Sequence, residues 1–260
     1  MVDQPAGNKR RQELVPGLIG MSVHTDCVYL QEINRANPQN EVEPQVSSTR
    51  LVLQAINFQQ LTLDLNGGRR DDAGAVIRQA VSAVQQAGAD FLVVTANTIN
   101  GMLDELDDAV TVPVLDITRA VFAEAREQGL SRLGLLSTRQ TVESGLYQAT
   151  AAEFGCSVIT PSAEIADAVN DAIFHRLIRG VCTDGDVRTV LESVAWFEAQ
   201  GADSVILGCT DLTLLAGRFD SSPLPLLDST VLHARAAYYA ATTGDINRYS
   251  ARRHTGTARR

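Results

Sequence analysis

The sequence lacks the features that mark membrane, secreted and cofactor-binding proteins. No apolar run in the 260 residues is long enough to cross a bilayer, and residues 1–16 lack the apolar core of a signal peptide. The four cysteines show neither C-x-x-C spacing nor a disulfide framework, so we expect a reducing, cytoplasmic setting. G-x-G-x-x-G motifs, P-loops and clusters with metal-ligand spacing are also missing, so no metal or cofactor is expected.

Charge is unevenly distributed along the chain. The net charge is −9, but residues 1–14 carry +1 and residues 247–260 carry +5, which leaves −15 on the body between them. So acidic a body argues against nucleic acid as a partner of the folded core. Both ends are predicted to be disordered tails, and the second of them is basic. No membrane partner is expected either.

Short apolar strands alternate with alanine-rich helical patterns, which predicts an α/β fold with parallel sheets flanked by helices. Strands are predicted at 18–19, 51–56, 91–94, 114–116, 133–136, 158–159, 205–207 and 226–227. Helices are predicted at 75–87, 117–128, 142–154, 164–179, 187–200 and 231–243.

An internal repeat divides the chain in two. Residues 86–98 match residues 199–211 when Gly88 is aligned with Gly201, and further pairs follow in the same order at nearly the same spacing. We therefore predict two pseudo-symmetric half-domains. The first covers 15–118 and is completed by a C-terminal helix at 231–246, and the second covers 119–230. The active site is expected in the cleft between them, where turns after the strands of each half meet.

The two copies differ where chemistry is expected, because Ala96 aligns with Cys209. A thiol at a strand end beside a helix start can have a lowered pKa and can act as acid, base or nucleophile. A small buried cysteine is the alternative. The neighbouring Gly208 and Thr210 favour a working thiol, since they permit close approach and supply a hydrogen-bond donor. The other cysteines are expected to be packing residues: Cys27, Cys156 and Cys182.

Further candidates for substrate binding and catalysis are polar residues that stand just before or after predicted strands. Hydroxyl and amide groups in turns can bind a carboxylate or enediolate oxygen, although each alone also fits a turn or helix cap. An arginine before a strand can clamp a carboxylate, and a histidine can act as second acid or base. The histidine candidates are His24 and His233. The candidate substrate-binding residues are Ser22, Arg50, Ala96, Asn97, Thr98, Ser137, Thr138, Thr210 and Asp211.

Over about residues 15–243 the chain resembles the aspartate/glutamate racemase superfamily. The motifs that carry the resemblance are Gly20-Met21-Ser22, Ala96-Asn97-Thr98, Gly208-Cys209-Thr210-Asp211 and Asp228-Ser229-Thr230 followed by His233. Members of that superfamily racemise a carbon next to a carboxylate without pyridoxal phosphate, using two thiols, one from each half. The resemblance implies that Cys209 is one of this pair, that Ala96 replaces its partner, and that the protein is a homodimer.

Several functions stay open at this point. The first is an isomerase acting at the α-carbon of a small carboxylate or amino acid, with His24, His233 or a bound water as the second acid. The second is a single-thiol enzyme similar to the arylmalonate decarboxylases of the same superfamily, which protonate an enediolate from one face. A lyase or cyclase that tailors a metabolite, and a catalytically silent metabolite-binding protein, are the remaining alternatives. The isomerase stands first because it is the broad activity of the superfamily.

Overall fold

Two four-stranded parallel sheets form the framework of the computed structural model, which describes residues 13–36, 48–103 and 109–250. All six strand pairings within these sheets are parallel. The strands are β1 (Pro16–Gly20), β2 (Val52–Ala55), β3 (Phe91–Val94), β4 (Val114–Leu115), β5 (Arg132–Leu136), β6 (Ser157–Ile159), β7 (Ser204–Leu207) and β8 (Leu226–Asp228). Each overlaps a strand predicted from the sequence, and the α/β class is confirmed.

The two sheets share one strand order, β2-β1-β3-β4 in the first and β6-β5-β7-β8 in the second. Strand β3 lies beside β1 as β7 lies beside β5, with Ile19 opposite Val94 and Leu136 opposite Leu207. The repeat in the sequence is therefore a repeat of structure. The turns that follow β3 and β7 occupy equivalent places in the two halves.

Helices flank both sheets. The α-helices in the described part of the chain are α1 (Val23–Arg35), α2 (Phe58–Asn66), α3 (Arg70–Gln86), α4 (Asn97–Asn100), α5 (Ile117–Glu127), α6 (Arg139–Glu143), α7 (Leu146–Ala151), α8 (Ala163–His175), α9 (Asp184–Ala199) and α10 (Ser229–Thr243). Short 3-10 helices cover Ala152–Phe154, Leu177–Arg179 and Thr210–Leu215. Over the same residues, none of these helices combines the length and apolar character that crossing a membrane requires.

The helices differ from the sequence prediction in two respects. Helices α1, α2 and α4 lie in segments with no predicted helix; α1 buries polar residues such as Asp26 and Glu32, which obscures its apolar face. The helix predicted at 142–154 is interrupted at Gly145, whose φ of 71° lies in the left-handed region that glycine adopts without strain. The chain therefore turns sharply between α6 and α7.

The core is continuous between the two halves because α5 packs on both sides. Ala120 belongs to an apolar cluster with Leu18 and Phe91 of the first sheet, whereas Phe122, on the opposite face of the same helix, belongs to a cluster with Leu135 of the second. Helix α10 joins the first of these clusters through a row of alanines. The last helix of the chain thus packs against the first sheet.

Part of the predicted C-terminal tail is ordered. Tyr249 is buried, and Ser250 forms an antiparallel bridge with Leu115 at the edge of the first sheet. The prediction of a disordered tail is therefore wrong for residues 247–250, because their contacts with the sheet edge and with α10 hold them in place. The rest of that tail, and residues 1–12 at the other end, lie outside the described residues.

Candidate active site

A small pocket of about 70 Å³ lies between the two halves, at the carboxyl ends of β3 and β7. Both equivalent turns line it. The first turn contributes Ala96, Asn97, Thr98 and Ile99, and the second contributes Gly208, Cys209, Thr210 and Asp211. Cys209 is only 8% exposed. It nevertheless lines this pocket, so a ligand bound there can contact its side chain.

Helices supply the rest of the lining, and sequence reasoning found almost none of these residues. They are Phe58, Thr62 and Leu65 of α2, Thr138, Gln140 and Thr141 at the start of α6, and Ile173, Phe174 and Ile178 in and after α8. The three residues of α2 are spaced four and three apart, so they share one helix face. That spacing is the signal that would have found them, once α2 itself was predicted.

The turn that presents Cys209 is held by hydrogen bonds from the neighbouring strand. The Gly208 amide donates to the Leu136 carbonyl at 2.7 Å, and the Ser137 hydroxyl donates to the Gly208 carbonyl at 2.6 Å. A Cβ at Gly208 would lie 2.6 Å from Cδ1 of the buried Leu135, so only glycine fits without displacing its neighbour. Ser137 is thus buried and supports the turn; it is not among the residues that line the pocket.

The Cys209 thiol has a raised pKa, and the expectation of a lowered pKa is wrong. Burial is the main cause, and the nearby Asp211 carboxylate raises the pKa further. Its backbone hydrogen bonds with Asp211 and Leu212 oppose this shift but do not outweigh desolvation. The resting group is therefore a neutral thiol, which is a proton donor.

Asp211 is the partner of this thiol. Its Oδ2 lies 4.0 Å from the Cys209 sulfur, and its Oδ1 accepts a hydrogen bond from the Thr25 hydroxyl at 3.2 Å. Burial raises the pKa of Asp211, while the Thr25 hydrogen bond and the charge of His24 partly offset that shift. Asp211 is, with Cys209, one of the two titratable groups among the described residues that line the pocket. The pair can pass a proton between carboxylate and thiol.

Asn97 lines the pocket, but its amide is engaged in a network within the protein. Its Oδ1 accepts from the Tyr147 hydroxyl at 2.7 Å, and its Nδ2 donates to the Ser229 hydroxyl at 3.2 Å. The Ser229 hydroxyl donates in turn to the Leu207 carbonyl at 2.8 Å. Asn97 therefore fixes the first turn against the second half, from a position in the pocket lining.

Three threonines from the two halves meet at the pocket. The hydroxyls of Thr98 and Thr141 lie 3.0 Å apart, and the Thr138 hydroxyl donates to that of Thr141 at 3.1 Å. Thr141 was not a sequence candidate, although Thr98 and Thr138 were. Thr210 also lines the pocket. This hydroxyl cluster can donate hydrogen bonds to a bound carboxylate.

Neither histidine candidate lies at the pocket. His233 is fully buried, with Nε2 3.0 Å from the Leu115 carbonyl and Nδ1 2.8 Å from the Tyr29 hydroxyl, and burial lowers its pKa to about 4. Both ring nitrogens are engaged away from the pocket, and this geometry does not support the prediction of His233 as second acid. The His24 ring packs against the Gly180 turn. Its interaction with Asp211 is electrostatic and lowers the pKa of that carboxyl group. It too is absent from the described lining of the pocket.

Two further sequence candidates lie elsewhere. Arg50 is exposed just before β2, and Ser22 precedes α1 as its N-terminal cap residue without a side-chain capping bond. Neither belongs to the described pocket lining. The first half lines the pocket through its β3 turn and α2 instead, so the pocket does not support their assignment as substrate-binding residues.

Comparison with curated proteins identifies relatives that racemise amino acids. The chain is 27% identical over 164 residues to the broad specificity amino-acid racemase RacX of Bacillus subtilis, a match that covers 62% of this chain and 69% of that protein. It is 27% identical over 141 residues to the glutamate racemase of Aquifex aeolicus, covering 53% and 52% of the two chains. The chain thus spans about half the length of the curated glutamate racemases that it matches.

Solved structures share the whole fold. A Yersinia pestis protein assigned to the Asp/Glu racemases superposes with a TM-score of 0.76 at 30% identity, covering 88% of this chain and 99% of that one. An aspartate racemase homologue from Pyrococcus horikoshii gives 0.72 at 27% identity with the same coverage. A family model described as Asp/Glu/Hydantoin racemase matches residues 18–237, and the chain therefore belongs to the Asp/Glu/hydantoin racemase family.

Proposed function

We propose that this chain is a cofactor-independent, racemase-type isomerase that moves a proton at the α-carbon of a small carboxylate or amino acid, with Cys209 as its single catalytic thiol. One observation carries the proposal: Cys209 and Asp211 meet at a pocket between the halves that the equivalent turn of the first half completes. The racemases among its relatives support this class of activity.

The geometry supports a proton relay on one face of the substrate. Asp211 takes the thiol proton, and the Cys209 thiolate then removes the α-proton, leaving an enediolate on the substrate. Hydrogen bonds from the Thr98 and Thr138 side of the pocket stabilise the charge that develops on the carboxylate oxygens. Return of a proton from Cys209 restores the carbon. Inversion requires a second donor on the opposite face, where Ala96 offers only a methyl group and a bound water would have to act.

Single-thiol decarboxylation is the second candidate, and the chemistry at positions 96 and 209 favours it specifically. The bond between the α-carbon and a second carboxylate breaks, CO2 leaves, and the electron pair stays on the α-carbon as an enediolate. Cys209 then protonates that carbon, and solvent reprotonates the thiolate through Asp211. This reaction needs a single proton donor, and the neutral Cys209 thiol can serve as that donor. No second donor is required at position 96.

Proton NMR in D2O tests both candidates with amino acids, 2-substituted carboxylates and 2-substituted malonates. An isomerase exchanges the α-proton for deuterium without releasing CO2, whereas a decarboxylase incorporates deuterium only with CO2 release. Cys209→Ala should lower either rate by about 10²–10⁴-fold, the usual worth of a general acid or base. Cys27→Ala, which removes an exposed thiol, is the matched control. Turnover that survives in Cys209→Ala would contradict the proposal.

A further inference from the structure

The start of α6 contributes polar residues to the pocket lining (Thr138, Gln140 and Thr141), whereas α2 and the α8 region form an apolar wall. Five of its six residues carry hydrocarbon side chains, and the sixth, Thr62, uses its hydroxyl to donate to the Phe58 carbonyl at 2.8 Å within its own helix. The six residues are Phe58, Thr62, Leu65, Ile173, Phe174 and Ile178. A group bound against this wall finds hydrocarbon on two sides, from α2 and from the α8 region.

Among the described residues that line the pocket, the charged side chain is an acidic one. No lysine or arginine occurs among the lining residues that the structure describes, and Asp211 is the carboxylate present. A carboxylate on the substrate's side chain, held against the apolar wall, would lose its hydration and meet Asp211 without a cationic partner. The lining therefore opposes the acidic side chains of aspartate and glutamate.

Cationic groups begin outside the pocket, in a wider vestibule. This vestibule shares Leu65, Thr98, Gln140 and Phe174 with the pocket. Its lining also includes two arginines, Arg70 and Arg139, and the carboxylate of Glu143. Arg139 forms an ion pair there with Asp167. Both arginines line the vestibule and not the pocket, so neither places a cation beside a group bound within the pocket.

Phe174 lies at the border between pocket and vestibule with 39% of its surface exposed. Covering an aromatic ring with another apolar group is favourable, because it removes apolar surface from water. An apolar substituent on the ligand would provide that cover, and a charged one would not.

We infer that the substrate carries an uncharged aromatic or branched aliphatic group on its α-carbon, held between α2 and the α8 region, and that this group sets specificity. The reacting end of the substrate rests on the proposed function, but the recognition of the apolar group does not. Aspartate and glutamate are then poor substrates, in contrast to the glutamate racemases among the relatives.

Binding of unreactive carboxylates to the wild-type protein tests this inference separately from catalysis. Ligand titration by NMR with 3-phenylpropanoate and with succinate compares an apolar with an acidic substituent. We expect 3-phenylpropanoate to bind at least about tenfold more tightly. Succinate binding of equal or greater strength, or the failure of 3-phenylpropanoate to saturate, would overturn the inference.

One substitution at the apolar wall sharpens the test. Phe174→Arg should weaken 3-phenylpropanoate binding by at least about tenfold and shift the preference towards succinate. Val181→Arg is the control, since Val181 is also apolar and 49% exposed but does not line the pocket. An unchanged preference in Phe174→Arg would count against the inference. Apolar preference without α-proton exchange or CO2 release on any carboxylate would instead refute the proposed function alone.

Discussion

Ala96 and Cys209 occupy equivalent positions in the two halves, and both line one pocket. Ala96 follows β3, which pairs with β1, and Cys209 follows β7, which pairs with β5. The two copies of the half-domain therefore present a methyl group and a thiol to the same ligand. A pocket of this kind has its acid–base chemistry on one side, and the predictions below follow from that asymmetry.

Asp211→Asn should lower the rate by about 10²-fold, because the amide cannot take the proton of the Cys209 thiol. In the wild type the rate should fall as pH drops through the raised pKa of Asp211, since the carboxylate must be ionised to act as acceptor. The variant should lose this acidic limb. Rates measured from pH 4 to 9 check the prediction, with Asp220→Asn, at an exposed carboxylate, as control. An acidic limb that persists in Asp211→Asn would assign that titration to another group.

Tyr147→Phe should destabilise the protein by about 1–3 kcal/mol, because it leaves the buried Asn97 oxygen without its hydrogen-bond donor. The ring itself keeps its packing against Phe122. Urea unfolding measures the change. Tyr238→Phe, at a less buried tyrosine, should stay within about 0.5 kcal/mol of the wild type. Equal stability of the two variants would show that the Asn97 network contributes little.

Thiol labelling should distinguish Cys27 from Cys209. Cys27 is exposed on α1, contrary to the packing role predicted for it, and should react first with a disulfide reagent. Cys209 should react slowly, and its rate should still be rising at pH 9, because its pKa is raised. Cys27→Ala should remove the fast phase. A fast phase that disappears instead in Cys209→Ala would show an activated thiol.

His233 should make the protein less stable as pH falls. Its pKa is lowered from 6.5 to about 4 in the folded state, so between these values the unfolded chain binds a proton that the folded chain does not. Its contribution is intact above pH 6.5 and is lost as pH falls towards 4. Between pH 7 and 4.5 the loss should be about 2–3 kcal/mol.

His233→Gln tests this assignment, since glutamine can also donate to the Leu115 carbonyl and accept from Tyr29. The difference in unfolding free energy between wild type and variant should shrink from pH 7 to 4.5. Buried carboxyls such as Asp116 and Asp228, whose raised pKa values act in the opposite direction, cancel in this comparison. A difference that does not change with pH would show that His233 titrates normally in the folded protein.

The sequence predicted the framework of the site well, because the features involved are local. An apolar strand followed by Gly208 and Cys209 is visible in a short segment, and the repeat supplied its counterpart at Ala96. Both turns line the pocket in the structure. Strand pairing in the same order within each half then brings them together.

The remaining residues depend on contacts between distant segments, which a single sequence does not show. Apolar pocket residues such as Phe58 and Ile173 have the same pattern as core residues, so only the geometry separates them. His233 resembles a catalytic histidine until Tyr29 and Leu115, far away in the chain, are seen to occupy its ring nitrogens. Burial likewise reversed the expected pKa shift of Cys209.

The most direct test of one-sided chemistry is the stereochemical outcome with Ala96→Cys. The wild type should exchange or deliver the α-proton mainly with one configuration, whereas Ala96→Cys should supply the missing thiol and raise the rate of inversion by at least about 10²-fold. Chiral chromatography of substrate and product in D2O measures both. Inversion by the wild type as fast as its α-proton exchange, or no gain of inversion in Ala96→Cys, would contradict the account.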